Sequence, residues 1–164
     1  MGTTSTKAPA KKSTSAKAQK ATALLHADHK AVSSVVDQFE TTRSTTKKKS
    51  LVAQICAELT VHAQVEEEIF YPAVKAALKD KELVPEATVE HATLKDLVAQ
   101  VEGVEPAGEM FDAKIQVMSE YVKHHVQKEQ NDMFPKAKAT RLDMMALGAH
   151  IAASKQESLA AAEM

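Results

Sequence analysis

The 164-residue sequence contains no tryptophan, two tyrosines, four glycines and a single cysteine, Cys56. One cysteine excludes an intramolecular disulfide and any thiolate cage for zinc or an iron–sulfur cluster within the chain, and it suits a reducing compartment. So few glycines and aromatics, set against long stretches of Ala, Leu, Lys, Glu and Val, argue against sheet and for helix. Uninterrupted apolar runs of about eighteen residues are missing, as is the apolar segment of a secretory signal. The expectation is a cytoplasmic protein without membrane contact, with one domain and a real core.

Acidic residues are missing from the N-terminus. Residues 1–20 take five of the 21 basic residues and no acid, leaving 16 basic against 22 acidic in the remainder. Thr, Ser, Lys, Ala and Pro cannot bury enough apolar surface to offset ordering entropy, which predicts a disordered tail over 1–19. Lysines without arginine or aromatics give no readout of base sequence, so no specific nucleic-acid partner is expected.

What is present is helical periodicity. Leu25, Val32, Val35, Val36 and Phe39 mark a first helix, which "TTRSTTKKKS" interrupts. Leu51, Ile55, Leu59, Ile69, Ala73 and Ala76 mark a second, with Pro72 either kinking it or forcing a local adjustment. "VPEATVEHATLKDLVAQVEG" opens on a first-turn proline and stops at Gly103, giving a third. Phe111, Ile115, Met118, Val122 and Met133 stripe a fourth, and a fifth follows Thr140, where Leu142, Met144, Met145 and Leu147 are expected to dock it and Gly148 weakens its middle. The predicted fold is all-α: an antiparallel up-down four-helix bundle over 20–138, then a C-terminal helical extension over 139–164.

The chain also repeats itself. "DHKAVSSVVDQF" from Asp28 aligns with "EHATLKDLVAQV" from Glu90, at an offset of 62, and "HAQVEEEIFYP" from His62 aligns with "HVQKEQNDMFP" from His125, at an offset of 63. Each half therefore supplies one histidine from its first helix and a His-x-x-x-Glu from its second: His29 with His62 and Glu66, then His91 with His125 and Glu129. Residues four apart share a helical face, so each pair can direct both donors to one place.

At about 100° per residue these six fall on the apolar stripes and face the core. An unpartnered carboxylate there would cost several kcal/mol or stay protonated, and no Lys or Arg shares the stripes, so a metal is the expected partner. Four imidazoles and two carboxylates suit iron, manganese or zinc better than magnesium or calcium. Six ligands exceed the needs of one tetrahedral ion. Two carboxylates can bridge two ions, each with two imidazoles, leaving room for an oxo or hydroxo bridge and a small exogenous ligand.

The order H…HxxxE…H…HxxxE, carried by His29, His62, Glu66, His91, His125 and Glu129, resembles the hemerythrin-like HHE domain family. That resemblance implies a four-helix bundle holding two non-haem irons, with manganese or zinc as lesser alternatives. It further implies a ligand such as dioxygen, nitric oxide or peroxide, serving sensing, buffering or stress response. Catalase-like or nitric-oxide-reducing turnover, and iron storage or sensing, are alternatives that the residues permit without choosing. A separate redox or signalling partner would be needed to pass a signal on.

Around the six, His26 and Glu67 are expected at the rim or behind the ligands, Glu68 and His124 are expected to face away, and His150, which has no copy in the repeat, is expected to play no part. Tyr121, one turn before His125, either donates a hydrogen bond or an electron to a bound oxygen species or simply packs. Asp132 either orients a ligand or is solvated, and Cys56 reads as a small buried residue.

Overall fold

The structure is a computed structural model in which residues 19–162 are described; the disordered tail expected over 1–19 lies outside the described residues, apart from Gln19. The described part is helical throughout, with no strand. Helices α1 (Ala21–Thr41) and α2 (Thr45–Val65) form one hairpin, with Ser44 capping α2 by accepting the Lys47 N–H at 3.2 Å. Helices α4 (Leu83–Val101) and α5 (Gly108–Lys128) form the other. The third helix stops as its glycine suggests, with Gly103 at φ 71° just past α4. Short connections make neighbours antiparallel, and α1 packs on α2 as α4 packs on α5.

The second helix of each hairpin does not end where the α-helical ladder changes. Helix α2 runs through a π-helical turn, Glu66–Phe70, into α3 (Tyr71–Leu78), and α5 runs through Glu129–Met133 into α6 (Phe134–Lys138). Prolines at 72 and 135 explain both: each lacks an N–H, and its ring would strike the carbonyl four residues back. Widening the ladder by one residue relieves this, so the Tyr71 N–H reaches the Glu66 carbonyl and the Phe134 N–H that of Glu129, five residues back.

The extra residue rotates everything after it. The expected stripe through Ala73 and Ala76 is corrected: Phe70, Tyr71 and Val74 are buried, whereas Ala73 is half-buried and Ala76 exposed. Helix α7 (Met144–Ala162) then lies against α1 and α2. Asp143 caps it, its Oδ1 accepting the Met145 and Ala146 N–H groups. Met144 docks the helix as expected, but Met145 is left 43 % exposed. Gly148 has a packing reason: a Cβ there would fall 1.9 Å from the Gln19 carbonyl oxygen.

Two apolar clusters make the core. One gathers Leu25, Phe70, Tyr71, Val74, Phe134 and Ile151; the other gathers Val32, Phe39, Ile55, Leu94, Phe111 and Met118. Between them lies a layer of buried polar side chains from α1, α2, α4, α5 and the two π turns.

Candidate metal centre

That layer is made by His29 on α1, His62 on α2, His91 on α4, His125 on α5, and Glu66 and Glu129 at the first residues of the two π turns. All six are buried, and the two glutamates are essentially sealed from solvent. The imidazoles meet in pairs. His29 Nε2 stands 3.2 Å from His62 Nε2, and His91 Nε2 stands 3.1 Å from His125 Nε2. Two nitrogens each about 2.1 Å from one ion, roughly at right angles, would be about 3 Å apart.

The carboxylates sit between the pairs. Glu66 Oε1 is 2.7 Å from His62 Nε2 and 3.5 Å from His91 Nε2, and Glu129 Oε1 contacts His125 Nε2. Both oxygens of Glu66 and Oε2 of Glu129 are nevertheless buried without an aligned hydrogen-bond donor. Two four-residue groups each bring one donor atom per residue within 4.8 Å: His29, His62, Glu66 and Glu129, and then Glu66, His91, His125 and Glu129. Both glutamates belong to both groups. Orphaned carboxylate oxygens facing converging imidazole nitrogens fit a cation, and the overlap fits two.

Without an ion the layer must use protons. Burial pulls His29 down to about 3, and the neighbouring His62 adds to this. Burial acts the same way on His62, but Glu66 and the Asp28 hydrogen bond overcome it and hold that imidazole up at about 10. The two glutamates share a site where both cannot ionise freely. Burial and the charge of Glu66 push Glu129 up; against burial, the charge of the neighbouring His62 holds Glu66 well below its usual range.

Behind the ligands stands a ring of groups that follows the repeat. His62 Nδ1 is 2.9 Å from Asp28 Oδ2, while His125 Nδ1 lies 3.6 Å from Glu90 Oε1. The Gln130 amide approaches His29 Nδ1 at 3.2 Å, while Glu67 Oε1 lies 3.7 Å from His91 Nδ1. A hydrogen-bonded group at this position fixes the tautomer and orientation of a ligating imidazole, as Asp28 does for His62, whereas His91 Nδ1 and His125 Nδ1 are buried without a hydrogen bond. Asp28 and Glu90 carried a signal, being the acid before the histidine in both halves, and Glu67 and Gln130 are equivalent in the repeat. Lys95 anchors Glu67 from outside, at 2.7 and 2.8 Å.

Other residues separate. His26 is exposed and meets the Gln130 amide at 2.7 Å; Glu68, His124, Asp132 and His150 are exposed, and Cys56 is buried. Of the two readings for Tyr121, ordinary packing is the one the structure shows: it packs against the cluster of Val32, Phe39 and Met118, and among the described residues its hydroxyl has no hydrogen bond to the site. Tyr71 stands at the site instead. Its hydroxyl lies 3.1 Å from His91 Nε2 and 3.2 Å from His125 Nε2, and it donates to Glu129 Oε1 at 3.2 Å. Burial and the two carboxylates raise its pKa, so it keeps its proton. In a regular helix Tyr71 would lie about 140° round from Glu66; absorbing one residue in the π turn reduces that to about 40°.

A profile described as the hemerythrin HHE cation binding domain matches residues 20–137. The chain belongs to the hemerythrin HHE family. The crystal structure of an HHE cation-binding domain-containing protein from Mycobacterium kansasii is similar, with a TM-score of 0.73 at 21 % identity, covering 88 % of this chain and 90 % of that one. A Nostoc protein named as a DNA nickase is 25 % identical over 111 residues, which are 68 % of this chain and 31 % of that protein. The HHE chain thus spans under a third of that relative's length. Among the described residues, no helix is long and apolar enough to cross a membrane.

Proposed function

We propose that the chain is a non-haem di-iron protein that binds a small gaseous or peroxide ligand in a reducing, cytoplasmic setting. His29 and His62 would hold one ion and His91 and His125 the other, with Glu66 and Glu129 shared. The observation that carries this is the overlap of the two donor groups in both glutamates. A donor set of four imidazoles and two carboxylates favours iron over magnesium or calcium. Iron there would supply Lewis acidity and redox equivalents to the bound ligand.

The chain's own residues support a small, weakly polar ligand. A cavity of about 250 Å³ reaches His29, His62, His91 and His125, with walls including Leu59, Ala63, Leu94, Val98, Val122 and Val126. Apolar walls hold water weakly and admit dioxygen or nitric oxide with little desolvation cost, whereas hydrogen peroxide would have to exchange its water hydrogen bonds for ones to the polar layer. Oxygen or nitric oxide binding would serve sensing, buffering or a stress response.

Peroxide turnover is the second reading, favoured by the Tyr71 hydroxyl, a buried proton donor beside His91, His125 and Glu129. Metal analysis of protein purified with and without oxygen tests the main proposal: two irons per chain are expected, and a single zinc would contradict it. His125→Ala should lose metal while exposed His124→Ala keeps it. Oxygen release on adding hydrogen peroxide would favour turnover, and a stable, reversible dioxygen spectrum would favour binding.

A further inference from the structure

The C-terminal helix packs on the first π turn and reaches the groups behind the candidate metal centre with one cation. Lys155 of α7 pairs with Oδ1 of Asp28, and the other oxygen of that carboxylate meets His62 Nδ1 at 2.9 Å. His62 in turn faces Glu66. The second half has the equivalent Glu90 beside His125 but, among the described residues, no lysine or arginine paired with it. The repeat is therefore broken by α7, at one of its two histidine pairs only.

How α7 is seated makes this contact matter. Its first half is anchored by Met144, by the close approach at Gly148 and by Ile151. Under its second half a cleft of about 380 Å³ opens, lined by Asp28, Ala57, Val61, Lys155 and Leu159, and Leu159 is 59 % exposed. Lys155 spans that cleft. Asp28 is partly exposed, so its carboxylate would be free to turn toward water once the ammonium is removed.

We propose that Lys155 is a positioning residue: it clamps the Asp28 carboxylate against His62 Nδ1, so that the seating of α7 sets the metal affinity of the His29–His62 pair. A carboxylate held on the distal nitrogen of a ligating histidine fixes its tautomer and ring orientation, and losing such support typically costs about 10- to 100-fold in metal affinity. The two ion positions are then inequivalent, and any partner that lifts the end of α7 weakens one of them. This rests on the dinuclear reading of the site.

Cobalt(II) titration of the metal-free full chain, followed by visible absorption with a competing chelator, tests it. Wild type should take two equivalents. Lys155→Met should weaken one of them by about tenfold or more and leave the other unchanged, and Lys155→Arg should restore it. Charge removal alone would tighten cation binding, so the sign separates clamping from simple repulsion. The metal-free melting temperature of Lys155→Met should match wild type. Two unaltered or tighter equivalents in Lys155→Met, or equal weakening of both, overturns the inference alone; wild type that binds no cobalt overturns the dinuclear reading with it.

Discussion

Tyr71 and Phe134 occupy equivalent places in the two halves, each directly before the proline that follows a π turn. Phe134 stacks on His29, its ring 5.9 Å away and nearly parallel, while Tyr71 adds a hydroxyl beside His91 and His125. If that hydroxyl moves a proton during peroxide turnover, Tyr71→Phe should keep both metals but slow oxygen release by about 100-fold, the lower range for general acid catalysis. Tyr121→Phe should leave the rate unchanged, and equal rates for both variants would remove Tyr71 from the chemistry. The layer also makes a pH prediction. In metal-free protein burial lowers His62 and His125 but their carboxylate partners raise them further, and burial beside Glu66 raises Glu129. A raised group stabilises fully below its unfolded value and loses that contribution as pH rises through its folded value. From the ordinary histidine value of 6.5 to about 8, where Glu129 is held, all three act together, and His62 carries the decline on toward about 10, so metal-free protein should melt progressively lower. Below 6.5, His29 held down at about 3 acts against Glu129, so the alkaline limb is the clean one. Ions replace those protons, so metal-loaded protein should show a flatter thermal profile; a metal-free curve that stays flat would contradict the proton assignment.

At the level of elements, the positions of the prolines were legible but the response of the helix was not. Periodicity at about 100° per residue correctly sets His62 and Glu66 on one face, because both precede the π register change. It fails immediately afterwards, exchanging Ala73 and Ala76 for Phe70, Tyr71 and Val74, because a kink and a one-residue widening both satisfy a missing N–H. Tertiary packing chooses the widening: it brings Phe70, Tyr71 and Phe134 into the cluster that also holds Leu25 and Ile151. Gly148 is similar. In the sequence it only weakens a helix, but in the fold it admits the Gln19 carbonyl. Gly148→Ala should therefore destabilise the protein by about 1–3 kcal/mol, the usual cost of overpacking, despite alanine's better helix propensity. Thermal unfolding decides this, and a stabilised variant would mean that α7 does not need the close approach.

Across the whole molecule, the polar layer separates two apolar clusters and leaves buried carboxylate oxygens without donors, so folding and metal loading should be coupled. An ion present at about 1,000 times its dissociation constant contributes about 4 kcal/mol, which for a chain of this size is a shift of about 8–16 °C. Chelation should lower the melting temperature by that order and iron should restore it; an unchanged melting temperature would argue that the layer is stable without ions. Helical class, duplication and the six polar positions of the candidate site were determined by the sequence alone, because periodicity and a repeated His-x-x-x-Glu are properties of local order. Which histidines face each other was decided by the tertiary structure, since pairing across helices depends on how two hairpins dock. The same is true of Tyr71 and Lys155. One is turned inward by a register change, and the other reaches Asp28 from 127 residues away, a distance over which no local pattern carries information.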